Sequence, residues 1–381
     1  MYKTIALVIL ALVYLYGLLL RLIDLRSDSN PLPENVRDVY DPETYAKWRE
    51  YHRETCRLSL VSHTLGFIPD FLLILFNAYA AFARLFPEDL FLQLFSVLLL
   101  SALASLLQIP AEYYRTMVIE EKYGFNRSSR KTFWADQVKS FLISLVVMTG
   151  IGALLMGLHL SLGDWLILVF AAVMMVMILG ITFLYPFLSR IFNKFTPLEE
   201  GELKEKLTGL LEKHGYRVRA IQIMDASRRT SKTNAYFTGF GRMKTIVLYD
   251  TLVQAMTPEE ICAVFAHELG HGLHKDTLKN QALSFLQIAV LAVLAWLTLR
   301  SAALFPDFGF AGVNYGFALL LIMTVEFALI SPLFGLLVNW HSRRAEYRAD
   351  AQAVREGYGE ALVSALKTLA RANFSDLAPA P

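Results

Sequence analysis

Charge is scarce in this sequence. Aspartate, glutamate, lysine and arginine make up 18% of its 381 residues, against roughly 25% in soluble domains. Hydrophobic residues reach 55%, above the ~45–50% that soluble chains carry. One water-soluble globule of this length cannot hide that surplus. Cysteine is nearly missing: Cys56 and Cys262 are the two present, which excludes a disulfide framework. Net charge is close to missing as well, at +2, so nucleic acid is not an expected partner. The 13% share of aromatics excludes an intrinsically disordered chain. What remains is an integral membrane protein, partnered by the lipid bilayer, with a sizeable part in water.

The apolar residues are gathered into blocks at 4–20, 58–82, 90–107, 141–162, 165–188, 282–299 and 315–338. Each approaches or exceeds the ~20 residues that a helix needs to cross the hydrocarbon core, so about seven spans are expected. Pro69 and Asp70 interrupt the second. No small-residue cleavage site follows the first, which reads as a retained span. Arg26, Arg37, Lys47, Arg49, Arg53 and Arg57 follow span one, and Arg115, Lys122, Arg127, Arg130, Lys131 and Lys139 follow span three; Arg84 alone follows span two. Basic residues gather on the cytoplasmic side. The N-terminus is then outside or lumenal, and the long polar segment and the C-terminus are cytoplasmic. Bacterial inner membrane and endoplasmic reticulum are not distinguished.

The polar segment, residues 191–281, reads as a folded insert. Residues 198–214 have helical spacing, and 220–224, 233–238 and 245–249 are short β-branched or aromatic runs. Gly239 and Gly241 separate the last two, which suggests a hairpin. Residues 375–381 look like a frayed or cut end.

After the hairpin, Thr257-Pro258-Glu259-Glu260 is a strong helix start, with a capping threonine, a proline at the first helical position and a glutamate completing a capping box. His267-Glu268-Leu269-Gly270-His271 follows. Histidines four apart share one helix face, and in this pattern they bind one Zn²⁺ while Glu268 serves as general base. A catalytic zinc of this type takes a third protein ligand. The stretch 339–350 supplies Glu346 and Asp350, again four apart. Glu346 would ligate, and Asp350 would accept the second ring proton of a ligand, His267. His274 is a rival, but it misses the spacing at which longer zincin motifs place a third histidine. His341 reads as structural, and His52, His63, His159 and His214 have no partner pattern. Glu326 and Asp70 lie in apolar spans, either lining a wet interior or paired with a basic residue.

The fold expected is therefore mainly α: a polytopic membrane helical bundle of about seven spans with a cytoplasmic α+β zinc-metalloprotease domain. It divides into 1–190 (spans one to five), 191–281 (the segment with the hairpin and the histidine helix), 282–339 (spans six and seven) and 340–381 (the third-ligand helix and tail).

At this point the chain resembles a known family, the CAAX prenyl protease 1 type of integral-membrane zinc metallopeptidase (a gluzincin). The resemblance rests on Glu121-Lys122-Tyr123-Gly124-Phe125-Asn126, Asn234-Ala235-Tyr236-Phe237, the 267–271 motif, and Asn339, Ser342, Arg343, Glu346, Ala349 and Asp350. It implies peptide-bond hydrolysis with one Zn²⁺ held by His267, His271 and Glu346, Glu268 as base, and Asn234 holding the oxyanion and the substrate backbone. Arg343 and Asp350 would stand behind the ligands. Asn234 also reads, on the residues alone, as part of a short edge strand that an extended peptide can join. The resemblance further implies substrates ending in an isoprenylated Cys-a-a-X motif. The family's later Ser-His-Pro does not occur in this sequence. Two readings of other kinds stay open: a membrane quality-control zinc metalloprotease with broad substrates, and a non-enzymatic transporter or receptor with a metal site. An intramembrane site-2-type protease lacks its Leu-Asp-Gly here.

Overall fold

The computed structural model describes residues 1–162, 165–216, 218–238 and 245–379. The apolar blocks become long helices: α1 (Tyr2–Arg26), α2 (Pro42–Leu75), α3 (Leu90–Tyr114), α4 (Arg130–Leu162) and α5 (Leu166–Phe192). Aspartates set two of the starts. Asp41 accepts from the backbone N–H groups of Glu43 and Thr44, and Asp89 from those of Phe91 and Leu92, which satisfies donors that a first turn leaves unpaired. Among the described residues five helices are long and apolar enough to cross a bilayer: Tyr2–Ser29, Pro42–Leu75, Leu90–Lys122, Asp276–Arg300 and Tyr315–Arg355. That is two fewer than the seven apolar blocks. The other two blocks fall on α4 and α5, where the side chains of some residues lie outside the described set.

The polar insert builds a small mixed sheet. Strands β1 (Phe195–Pro197), β2 (Ala220–Met224), β3 (Ala235–Thr238) and β4 (Thr245–Tyr249) lie in the order β1-β2-β4-β3. β2 and β4 are parallel, and the outer pairs are antiparallel, with Ala235 opposite Leu248 and Phe237 opposite Ile246. β3 is thus an edge strand. The glycines expected at the hairpin turn, Gly239 and Gly241, lie outside the described residues, as does the His159 side chain. β1 has no counterpart in the sequence reading, because three residues are too few to show alternation.

Helix α6 (Glu202–Lys213) buries Leu207, Leu210 and Leu211 against this sheet and against α7 (Pro258–Leu273). From α7, Ile261, Cys262, Phe265, Ala266 and Leu269 enter the same core. Cys262 is fully buried there, as expected of a packing residue. Each large apolar side chain so buried contributes about 1.5–3 kcal/mol.

Three further long helices follow: α8 (Asp276–Arg300), α9 (Tyr315–Arg355, with a π turn at Ile322–Glu326) and α10 (Gly359–Asn373). α9 has 41 residues and so runs for about 60 Å, twice the hydrocarbon thickness. Its apolar first half can lie in lipid while its polar second half reaches α7. The tail is not frayed through residue 379. Tyr40 Oη donates to the carbonyls of Ala370 and Ser375, Trp48 Nε1 to that of Phe374, and Ser27 Oγ to Asp376. These partners are over 320 positions away in sequence, and local composition cannot reveal them.

Candidate metal centre

The helix that carries the histidines starts as its sequence demands. Thr257 Oγ1 accepts from the N–H of Glu260, and Glu260 Oε2 accepts from the N–H of Thr257. From this start, residues 267 and 271 fall on one face, which is presented to α9. Their rings stand 4.9 Å apart at 83°. His267 Nε2 lies 3.4 Å and His271 Nε2 3.7 Å from Glu346 Oε2, and the three donor atoms all fall within 4.8 Å of one another. Atoms bound at about 2.0–2.1 Å to a tetrahedral ion are about 3.3 Å apart. The cluster is therefore the size of a metal site with two imidazoles and one carboxylate.

The far sides of the rings are engaged. His267 Nδ1 is 2.9 Å from Asp350 Oδ1 and His271 Nδ1 is 3.1 Å from Asp276 Oδ2. A carboxylate on Nδ1 holds the proton there and turns the Nε2 lone pair toward the cluster. Asp276 escaped the sequence reading. It begins α8 after Lys275, whose φ of 56° is left-handed, and that sharp turn folds it back onto His271. Asp276 is buried and is also met by Arg348 Nη2 at 2.8 Å and Lys279 Nζ at 3.4 Å. Burial pushes its carboxyl up, but the bonds from His271 and Arg348 prevail and leave it below the ordinary aspartate value.

Glu268 sits between the histidines in sequence and is half-buried. Burial and the nearby Glu346 carboxylate outweigh His271 and push its carboxyl up to about 7. Such an acid can hold or give up a proton near neutral pH.

Gly270 sets the distance between the two helices. A Cβ there would stand 2.9 Å from the Ala349 Cα and 3.1 Å from the Gln352 Cβ. We therefore expect Gly270→Ala to push α9 away from α7, separating Glu346 and Asp350 from the histidines. Overpacking of this kind costs about 1–3 kcal/mol. The check is zinc affinity measured beside thermal unfolding, with both expected to fall.

The remaining sequence candidates are more scattered. Asn234 is exposed at the start of the edge strand, and its Oδ1 accepts from the N–H of Ala235. β3 packs against α7. Arg343 is exposed, and no hydrogen bond or ion pair joins it to the cluster among the described residues. His274 is the C-cap of α7 and lies outside the cluster. Glu326 hydrogen-bonds Thr298 rather than a basic residue among those described. Asp70 lines an apolar cavity of about 920 Å³ with Leu73, Leu107 and Met323. Met323 is 23 positions before Glu346, about 35 Å along a helix, so this cavity does not adjoin the histidines.

A second grouping also emerges, on residues for which the sequence offered no pattern. Asp24, His52 and Cys56 bring one potential ligand atom each within 4.8 Å. Here, however, the donors are committed to one another. His52 Nε2 donates to the Asp24 carbonyl at 2.9 Å and Cys56 Sγ to Asp24 Oδ2 at 3.3 Å. The grouping reads as a hydrogen-bonded clasp between α1 and α2.

Comparison with known proteins agrees with this geometry. Residues 3–194 match the family described as CAAX prenyl protease N-terminal, five membrane helices, and residues 197–377 match Peptidase family M48. CAAX prenyl protease 1 of Saccharomyces cerevisiae is 32% identical over 388 residues, covering 91% of this chain and 83% of that one. The human CAAX prenyl protease 1 homolog is 29% identical, covering 90% and 83%. The crystal structure of S. mikatae Ste24p matches with a TM-score of 0.90 at 28% identity, over 100% of this chain and 94% of that one. A chain matched almost end to end by both halves of one family belongs to it, and this protein is accordingly a multi-pass membrane metallopeptidase of family M48, of the CAAX prenyl protease type.

Proposed function

We propose that this protein hydrolyses peptide bonds near the C-terminus of isoprenylated Cys-a-a-X substrates, with one Zn²⁺ held by His267, His271 and Glu346. The observation that carries the reading is the convergence of two Nε2 atoms and a carboxylate oxygen on one point, with both Nδ1 atoms held by carboxylates. The substrate class rests on the names of the relatives, CAAX prenyl protease 1 and its homologs. When bound there, zinc supplies a Lewis acid and acidifies water. The chain's own residues do the rest. Glu268, poised to exchange a proton near neutral pH, takes one from the attacking water and returns it to the leaving amine. Asp350 and Asp276 hold the imidazoles in one tautomer. Asn234 stands at the head of an edge strand that an extended peptide joins, with its amide available to the developing oxyanion.

The membrane arrangement we infer has seven spans. Five come before residue 194, in keeping with the family description, and α8 and the apolar half of α9 complete them. The basic connections after spans one and three then lie in the cytoplasm with the metal centre, and the N-terminus lies on the other side. The units 1–190, 191–281, 282–339 and 340–381 follow that division.

The deciding experiment compares a farnesylated CAAX peptide with its unprenylated twin, with and without a chelator. Cleavage of the farnesylated peptide alone, abolished by the chelator, is the expected result. Equal cleavage of both favours a broad quality-control protease, and no cleavage of either by zinc-loaded protein sinks the hydrolase reading.

A further inference from the structure

The open side of strand β3 does not run the full length of the chain segment that leads into it. In an antiparallel pair, a residue's N–H and C=O point the same way, and successive residues alternate. The N–H of Tyr249 bonds the carbonyl of Asn234 at 3.1 Å, so the backbone groups of Asn234 face β4. Those of Thr233 and Ala235 consequently face the open side. At Thr233 they are already taken. Its N–H donates to Asn373 Oδ1 at 2.8 Å, and its carbonyl accepts from Asn373 Nδ2 at 3.0 Å. One side-chain amide thus reproduces both bonds that a neighbouring strand would make.

Upstream the same side is filled by main chain. The N–H of Ser231 bonds the Phe125 carbonyl at 3.1 Å, and the N–H of Arg127 bonds the Arg229 carbonyl at 3.0 Å. Asn126 and Thr230 form a β-bridge between these bonds. From Arg229 to Thr233 the edge is closed. Ala235 is its first open rung, since among the described residues its N–H carries only the local bond to Asn234 Oδ1 at 2.9 Å.

Asn373 is held rigidly enough to act as a stop. It is the last residue of α10, and the next, Phe374, has a left-handed φ of 51°. That conformation at a bulky residue persists only where its surroundings over-determine it. Here the Phe374 ring meets Phe125 at 5.0 Å, Tyr51 at 5.9 Å and Tyr40 at 6.1 Å, all edge-on, and its carbonyl is bonded by Trp48.

We propose that Asn373, backed by the 124–127 loop, is a register stop for substrate. A peptide joining β3 pairs at residues 235 and 237 and must end or turn away at Thr233. This fixes how many of its residues lie between the scissile bond and one end of the paired stretch. The inference rests on the hydrolase reading above and assigns the substrate-length limit of that same site. Asn373 is a positioning residue and touches no reacting atom.

The test is a ladder of farnesylated CAAX peptides lengthened residue by residue at the N-terminal end and, in a second series, before the farnesyl-bearing motif's C-terminus. For the wild type, KM should stop improving at a fixed length. In Asn373→Ala, which frees Thr233, that plateau should move outward by two residues in one series, with a KM gain of about 2–10-fold from one further rung. Asn373→Asp keeps the acceptor for the Thr233 N–H and loses the donor to its carbonyl, so it should shift the plateau less. It also serves if the alanine variant does not fold. A uniform fall in kcat at every length, with the plateau unmoved, would overturn the stop and leave Asn373 a stability residue. Failure of the zinc-loaded wild type to cleave any member would overturn the hydrolase reading, and the stop with it.

Discussion

Glu268→Gln is expected to leave metal binding intact and to lower kcat by about 10²–10⁴-fold, the range that positioned acid–base groups contribute. Glu268 follows His267 directly on α7 and stays out of the three-atom cluster of His267, His271 and Glu346, so its replacement by an amide of equal size removes no ligand. What it removes is a group that exchanges a proton near neutral pH. The pH dependence has a definite sign. A carboxyl raised to about 7 is protonated below that value, and a cation arriving beside it favours the ionised form. Zinc uptake by the wild type should therefore release a proton near and below pH 7 and tighten as pH rises. Glu268→Gln should lose that part of the dependence. Calorimetric titration with zinc in two buffers of different protonation enthalpy, beside the peptide assay, measures both. Normal turnover in the variant would remove Glu268 from its proposed role.

The second large effect is expected at Asp276, through stability as much as through chemistry. This buried carboxylate takes bonds from His271, Arg348 and Lys279 together. Its removal leaves Arg348 without its acid partner in a partly buried setting. Breaking one side of a buried pair costs about 3–5 kcal/mol, toward the lower end here because Arg348 keeps some contact with water. Loss of the carboxylate behind a ligand histidine costs about 10–100-fold in metal affinity. Asp276→Ala should show both, and Asp276→Asn, which still accepts one bond, should show less of each. The acid limb of stability should change as well. A carboxyl held below its ordinary value contributes stability above that value and loses it as pH falls through the lowered one. The alanine variant should lack this part of the acid dependence. Equal unfolding of variant and wild type from pH 7 down to pH 3 would show that Asp276 contributes little.

How much of this was legible beforehand differs from residue to residue. The His267–His271 pair and the capping box that starts their helix are i, i+4 and i, i+3 relations within one helix, and such relations survive in any surroundings. The edge position of the 233–238 run was legible in part, because a short run beside a glycine-rich turn belongs to a hairpin. Asp276 was five positions from His271 and still missed. Its contact depends on a left-handed Lys275 that no propensity announces. Arg343 illustrates the opposite failure: it lies near Glu346 in sequence, yet its side chain is exposed and unconnected to the cluster among the described residues.

By itself, the sequence determined that the chain lives in a membrane, since its excess of apolar residues has no other stable place. It also pointed to a metal site, since histidines four apart share one helix face. The tertiary structure alone decided which carboxylates stand behind the two histidines, how closely Gly270 lets α9 approach α7, and where the edge of β3 closes. The physical reason is range. Period and capping act within a turn or two of helix, whereas Thr233 meets Asn373 across 140 positions, and His267 meets Asp350 across 83. Only the packing of α7, α9 and α10 around one core closes those distances.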